Sequence, residues 1–321
     1  MAGGTCLQTG PEGTGSIAGE TPLHKIQEKA GNMITFKRRH EEKMRRDAAV
    51  RMLTEKELDQ VHCVYLQMMQ KILSVCMSNG ITVTLSGGSA LGAIRHHGFI
   101  PWDDDMDMNI PRKDFESLKE NFDDLFGGEY LLSSPNYRRH SGYRLARIEN
   151  PAVMVCDEDG KTHGLRIDLF IIENMPDAWI IRFFRGIRSE VIRVIAGMVL
   201  EYERMPDPSK GRSMSDRLIR LGGKAFSFRK SDRWFDLVDR VNRWNDEKTR
   251  YVGIPSGRKH YFGEVFPREW MVRTVPVLFE GVEVPVPEGY DPYLRRLYGD
   301  YMTIPSEEDR EHHFIRSITF D

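Results

Sequence analysis

Apolar residues recur at Leu58, Val61, Tyr65, Met68, Met69, Ile72 and Val75, behind Thr54-Glu-Lys-Glu57 and ahead of Asn79-Gly80. This spacing, opened by a capping box and closed by a stop signal, predicts an amphipathic helix whose methionine pair fills core. The period then changes. Ile81 to Leu85 is a β-branched run, Ser86-Gly-Gly-Ser89 is a glycine-rich turn, and Ala90 to His96 is helical again. Met106 to Ile110 predicts a second strand, halted by Pro111, which suits the first turn of a helix carrying Phe115, Leu118, Phe122 and Leu125. Tyr143 to Ile148, Val153 to Cys156 and Leu165 to Ile172 read as strands. A long helical pattern runs from Ala178 to about Glu203, with Phe183, Phe184, Ile187, Val191 and Val194 on one half of the wheel and Arg182, Arg185 and Arg193 on the other. A hairpin about Glu280-Gly281 and a helix from about Asp291 to Tyr298 follow, then a polar tail with His312-His313.

Composition narrows the class without naming it. With 40% apolar and 29% charged residues in 321, the chain can bury a substantial core, which excludes a wholly disordered, collagen-like or multi-span membrane protein. Forty-six Lys and Arg against 48 Asp and Glu argue against a dedicated nucleic-acid binder, so no nucleic-acid partner is expected. Cys6, Cys63, Cys76 and Cys156 are too scattered for a disulfide framework or a zinc knuckle, and the expectation is a reduced, cytoplasmic chain. The first 24 residues hold six glycines and no Lys or Arg, so they lack a secretory signal and read as a disordered leader. Ala2 stands where myristoylation requires glycine. Residues 25–53 mix both signs of charge and read as a solvated helical segment.

The chemistry concentrates in Trp102-Asp-Asp-Asp-Met-Asp107. Residues two apart in a strand share a face, so Asp105 and Asp107 point together and call for a cation. Oxygen ligands without His or Cys favour Mg²⁺ or Mn²⁺. An EF-hand fails here, because Met108 stands at the required glycine and Asp114 at the bidentate glutamate. Gly87, Gly88 and Ser89 open a helix about where phosphate would meet free backbone N–H groups, without forming a P-loop or a dinucleotide fingerprint. Asp168, alone among apolar residues of a strand, is costly to bury unless paired or metal-bound; Arg166 is a candidate partner. The expectation is that Asp105, Asp107 and Asp168 converge, while Asp103 or Asp104 bonds turn amides.

The stretch Gly87-Gly-Ser-Ala-Leu-Gly92-Ala-Ile-Arg95-His-His-Gly98-Phe-Ile-Pro-Trp-Asp-Asp-Asp105-Met-Asp107 closely resembles the signature of the LicD family, related to the fukutin group. Phe279 to Pro285, Tyr290-Asp-Pro-Tyr-Leu294, Tyr298-Gly-Asp-Tyr-Met302, Pro305 and His312-His313 are similar to that family's ending, so the likeness spans roughly residues 60–315. It implies an α+β nucleotidyltransferase fold: a mixed sheet with flanking helices and a helical insertion in the second half. The corresponding division is 1–53 leader and charged segment, 54–177 catalytic core, and 178–321 insertion and C-terminal part. It implies transfer of a phospho-alcohol, phosphocholine foremost or ribitol or glycerol phosphate, from a CDP-activated donor to a sugar hydroxyl of a cell-surface glycan, which can be lipid-linked. Carried over by position, Asp105, Asp107 and Asp168 are catalytic and hold two Mg²⁺ or Mn²⁺ ions, Gly87, Gly88 and Ser89 hold donor phosphate, and Arg95, His312 and His313 are candidates for substrate binding. Ile171-Ile-Glu173 departs from the family's usual Pro-Leu-Asp ending of this strand.

Two other functions remain open at this level. The same site could deliver NMP from an NTP. A non-enzymatic reading makes residues 178–203 an interfacial membrane anchor, against the simpler alternative that this helix packs on its own sheet; it is too charged to span a bilayer. An interfacial helix would place the enzyme peripherally on the inner face of the membrane, with Arg182, Arg185 and Arg193 meeting lipid phosphate.

Overall fold

The computed structural model describes residues 49–137, 144–204 and 214–320. The chain divides into two units, 1–49 and 50–321, and the sheet and its helices belong to the second. The expected leader, nearly all of the charged segment 25–53, and Tyr143 at the start of an expected strand lie outside the described residues.

Helix α1, Glu55–Ser78, starts where the capping box predicts: the Glu57 amide donates to Thr54 Oγ1 at 3.3 Å, and the Thr54 amide donates to Glu57 Oε2 at 2.9 Å. It buries Val61, Tyr65, Met68, Met69 and Ile72. Strand β1 is short, Thr84–Leu85, and α2 begins at Gly87 rather than Ala90, running Gly87–Arg95. Strand β2, Asp107–Pro111, leads into α3, Arg112–Phe126, and β3, Leu131–Ser133. The two short strands expected over 143–156 are one, β4, Ala146–Asp157, whose register shifts between Asn150 and Met154 around Pro151. A proline gives up no ladder bond at such a bulge. Strand β5, Thr162–Met175, is longer than its apolar run implied.

The sheet is mixed, with order β1-β2-β5-β4-β10. Strand β10 is Ile315–Phe320; β3 adds to β4, while β6, Tyr251–Gly253, pairs with β5 and with β7, Val265–Pro267. Among these pairings only β2 with β5 is parallel. This α+β architecture, with helices flanking a mixed sheet, is the one the sequence led us to expect. One apolar cluster runs from Val61 to Ile315 and takes residues from both sides of position 177, including Val252, Phe266 and Tyr293.

The helical insertion comprises α4, Trp179–Arg204, α5, Met214–Phe226, and α6, Ser231–Asn242. It has its own small core of Ala196, Val199, Leu200, Trp234 and Phe235. A buried ionic network fastens it to the sheet: Arg112 on α3 bonds Glu173 on β5 and, at 2.6 Å, Asp239 on α6, which also takes Arg243 at 2.8 Å. The family departure at Glu173 is therefore structural. Its carboxylate is a fully satisfied buried partner of the kind such a network requires.

Helix α4 corrects one expectation. Its inward face is small and only partly apolar, with Gly186, Ser189, Ala196, Val199 and Leu200. Arg182 lies over the Tyr251 ring and donates to the Pro176 carbonyl, and Arg185 lies over Trp244 and donates to the Val241 and Arg243 carbonyls. Arg193 bonds Glu190 at 2.5 Å. Arg182 and Arg185 thus tie the helix to the protein and Arg193 is paired along the helix itself, so none of the three is free to meet lipid phosphate as expected. The apolar half faces outward.

The remaining elements close the site. Short α7, His260–Gly263, and α8, Arg268–Val272, precede the hairpin β8, Thr274–Phe279, and β9, Val282–Pro287. Helix α9, Tyr290–Tyr298, then returns against α2. Among the described residues no helix is long and apolar enough to cross a membrane.

Candidate active site

The centre is a row across three neighbouring strands. Asp107 on β2 is in register with Asp168 on β5, and Asp168 with Arg147 on β4, so the three side chains share one face of the sheet. Arg147 Nε donates to Asp168 Oδ1 at 2.6 Å. The partner of Asp168 is thus Arg147, not Arg166, although both arginines line the same cleft of about 1230 Å³ with Asp103, Asp105 and Asp107.

The acidic loop is held from outside. His62 Nε2 meets the Asp103 carbonyl at 2.7 Å, with its ring stacked on Phe99, and Tyr65 donates to the Asp104 carbonyl at 3.4 Å. Asp104 and Asp103 do not bond turn amides as expected: Asp104 Oδ1 takes His313 Nδ1 at 2.5 Å, and Asp103 turns toward the glycine turn. The His313 ring is pushed up to about 10 by this hydrogen bond, and carries its charge beside the acids.

Gly87 and Gly88 lie where they must. Gly87 has φ +47°, and a Cβ there would stand 3.0 Å from Asp107 Oδ2; one on Gly88 would stand 2.9 Å from Asp103 Oδ2. Both line the cleft, as does Ser86. Ser89 is buried beneath it, and its Oγ accepts the Asp107 amide at 2.9 Å. Its hydroxyl therefore positions the start of β2 instead of facing the cleft. Tyr293 supports the same turn, with its hydroxyl 3.0 Å from Ser86 Oγ and accepting the Gly87 amide at 3.2 Å.

The other sequence candidates separate. Neither Arg95 nor His312 lines the cleft. Arg95 donates to the Tyr301 carbonyl at 2.7 Å and so pins α2 to the C-terminal loop, while His313 reaches the acidic loop. Residues that the linear reading missed are His62, Tyr65, Arg147, Tyr293 and Tyr298, with Arg258, which pairs with Glu311 at 2.6 Å and lies over the Tyr298 ring. Tyr293 and Tyr298 stand in the C-terminal motif block, which was a usable signal; Arg147 had none.

Desolvation and repulsion are strong here. Desolvation, then Asp104 and Asp168, push the Asp105 carboxyl up to about 6 against the pull of His313. Asp107 is raised well above the usual carboxylate range by burial and by Asp105 and Asp168. Among the described residues no three His, Cys, Asp or Glu side chains form a ready metal cage. The donor chemistry nevertheless fits a hard divalent cation at Asp105 and Asp107, where all-oxygen ligands crowd together, only partly balanced by His313, beside side-chain-free glycines.

The family model described as LicD/FKTN/FKRP, nucleotidyltransferase domain, matches residues 80–179, which hold the glycine turn, the acidic strand and Asp168. The chain is 24% identical over 257 residues to the lipopolysaccharide cholinephosphotransferase LicD of Haemophilus influenzae, covering 79% of this chain and 94% of that protein. Residues 80–179 thus match a LicD-type nucleotidyltransferase domain. The chain is also similar over shorter stretches to two uncharacterized rickettsial proteins. One, from Rickettsia typhi, is 27% identical over 117 residues, or 36% of this chain and 30% of its own. The other, from Rickettsia prowazekii, is 40% identical over 54 residues, or 17% and 20%.

Proposed function

We propose that this protein is a LicD-type transferase that moves phosphocholine from a CDP-activated donor to a sugar hydroxyl of a cell-surface glycan, with Mg²⁺ or Mn²⁺ as cofactor. The observation that carries the reading is the Asp107–Asp168–Arg147 row beside the Gly87-Gly88 turn, in a chain related along most of its length to a cholinephosphotransferase. Asp105 and Asp107 would hold the cation, which when bound neutralises phosphate oxygens. Gly87 and Gly88 let the donor's phosphates come close to the start of α2, where the helix dipole favours them. Asp168, oriented by Arg147, takes the proton of the attacking hydroxyl. The hydroxyl oxygen bonds to the choline-bearing phosphorus as the bond to the CMP oxygen breaks, and CMP leaves.

The test is a panel of CDP-choline, CDP-glycerol, CDP-ribitol and the four NTPs, with and without Mg²⁺ or Mn²⁺, scored by release of CMP or pyrophosphate and by thermal stabilisation. Metal-dependent CMP release from CDP-choline, lost in Asp107→Asn, is expected. Release of pyrophosphate from an NTP, with no response to any CDP-alcohol, would replace this reading by nucleotidyl transfer.

A further inference from the structure

Helix α4 presents its apolar side to solvent. Trp179 is 67% exposed and Phe184 66%, and Ile180, Phe183, Ile187 and Val191 are exposed with them. Apart from Trp179 at the start, these residues fall on one helical stripe opposite the buried Gly186, Ser189 and Ala196. Phe262 extends the patch, its ring 5.9 Å from Phe183. An exposed apolar surface of this extent on a folded chain marks a binding face.

Charge decides the occupant. Helices α4 and α5 together carry eight Lys and Arg against four Asp and Glu, in a chain whose net charge is −2. With Arg182, Arg185 and Arg193 engaged by the protein and exposed Arg204 paired with Asp159 at 3.4 Å, the other exposed cations of the two helices are Arg188, at the edge of the stripe, and Arg217 and Lys224 on α5, beside exposed Leu218 and Leu221. Aromatic and branched apolar side chains rimmed by cations match an anionic bilayer interface. We infer that the outer face of α4 lies in the interface of an anionic membrane. Val194 belongs both to this stripe and to the wall of the catalytic cleft, which continues along α4 through Gly197 and Met198. Docking would therefore bring the mouth of the cleft to the headgroup layer. Taken with the proposed transferase activity, on which this last step rests, it selects an acceptor carried at a membrane surface.

The experiment needs no substrate, so its outcome is independent of the transferase reading. The full chain is sedimented with phosphatidylcholine/phosphatidylglycerol vesicles, with pure phosphatidylcholine vesicles, and alone, at low and high salt. Binding to the anionic vesicles that salt weakens is expected. Phe183→Ser with Phe184→Ser should reduce it by about tenfold or more, while the melting temperature stays at the wild-type value. Arg188→Glu with Lys224→Glu, which touches no apolar group, should abolish the preference for anionic lipid. Three results would each overturn the inference: wild type that ignores anionic vesicles, binding that neither variant changes, or a dimer by light scattering that the Phe pair variant converts to monomer.

Discussion

Glu264 is almost fully buried, and its Oε1 accepts the Lys259 amide at 2.6 Å. Burial pushes its carboxyl up to about 7. Below pH 4.5 the folded and unfolded chains both hold this proton; between there and 7 the unfolded chain releases it first, so stability falls with rising pH and levels off above 7. The loss is at most about 3 kcal/mol. Glu264→Gln should remove that slope: urea midpoints of variant and wild type should diverge in the variant's favour from about pH 4.5 to 8, and parallel curves would mean a glutamate ionised throughout. At the cleft itself, Asp107→Asn should abolish turnover with little effect on folding, since it relieves repulsion. Asp103 faces the cleft instead of capping turn amides, so Asp103→Asn should also lower turnover, by a smaller factor, rather than act through stability alone; steady-state rates beside melting curves of both variants decide this. Individual acids were legible because an Asp in an apolar strand has few inexpensive explanations. Arg147 was not, because its role comes from the pairing of β4 with β5, whose register shifts at the irregularity between Asn150 and Met154 and is not read from alternation within β4 alone.

Helices and strands were legible where one face is apolar and the other polar, as in α1, α3 and the β8–β9 hairpin. They were missed where the pattern served another purpose. Gly222-Gly223 interrupts the middle of α5 like a break, yet a Cβ on Gly223 would stand 2.6 Å from the Tyr202 Cβ, so the pair is there to let α5 approach α4. Similarly, the glycine turn read as a loop is the first turn of α2 itself. Gly92 in that helix makes the closest approach to the site loop: a Cβ would lie 2.5 Å from the Gly98 carbonyl oxygen. Gly92→Ala should therefore cost about 1–3 kcal/mol despite alanine's better helix propensity. Chemical denaturation checks it, and a neutral or stabilising alanine would mean that the Phe99 loop gives way freely.

For the whole molecule, the apolar core and the small core of α4 to α6 are separate clusters joined by the Arg112 network. Separately packed layers open separately. Truncating the mostly buried Trp234 to Ala should expose α4 to α6 to hydrogen exchange while β2 and β5 keep wild-type protection; equal loss everywhere would show one cooperative unit. The same long-range wiring governs how the site comes into being. Asp107 must find Asp168, but Ser86 must also find Tyr293, 207 positions away, and Asp104 must find His313, 209 positions away. On a ribosome, every acid of the site is synthesised long before the tyrosine that braces its glycine turn and the histidine that balances its charge. Topologically distant contacts of this kind form slowly. A nascent chain that has not yet reached Tyr293 and His313 therefore holds all the carboxylates of the site without the contacts that brace and balance them.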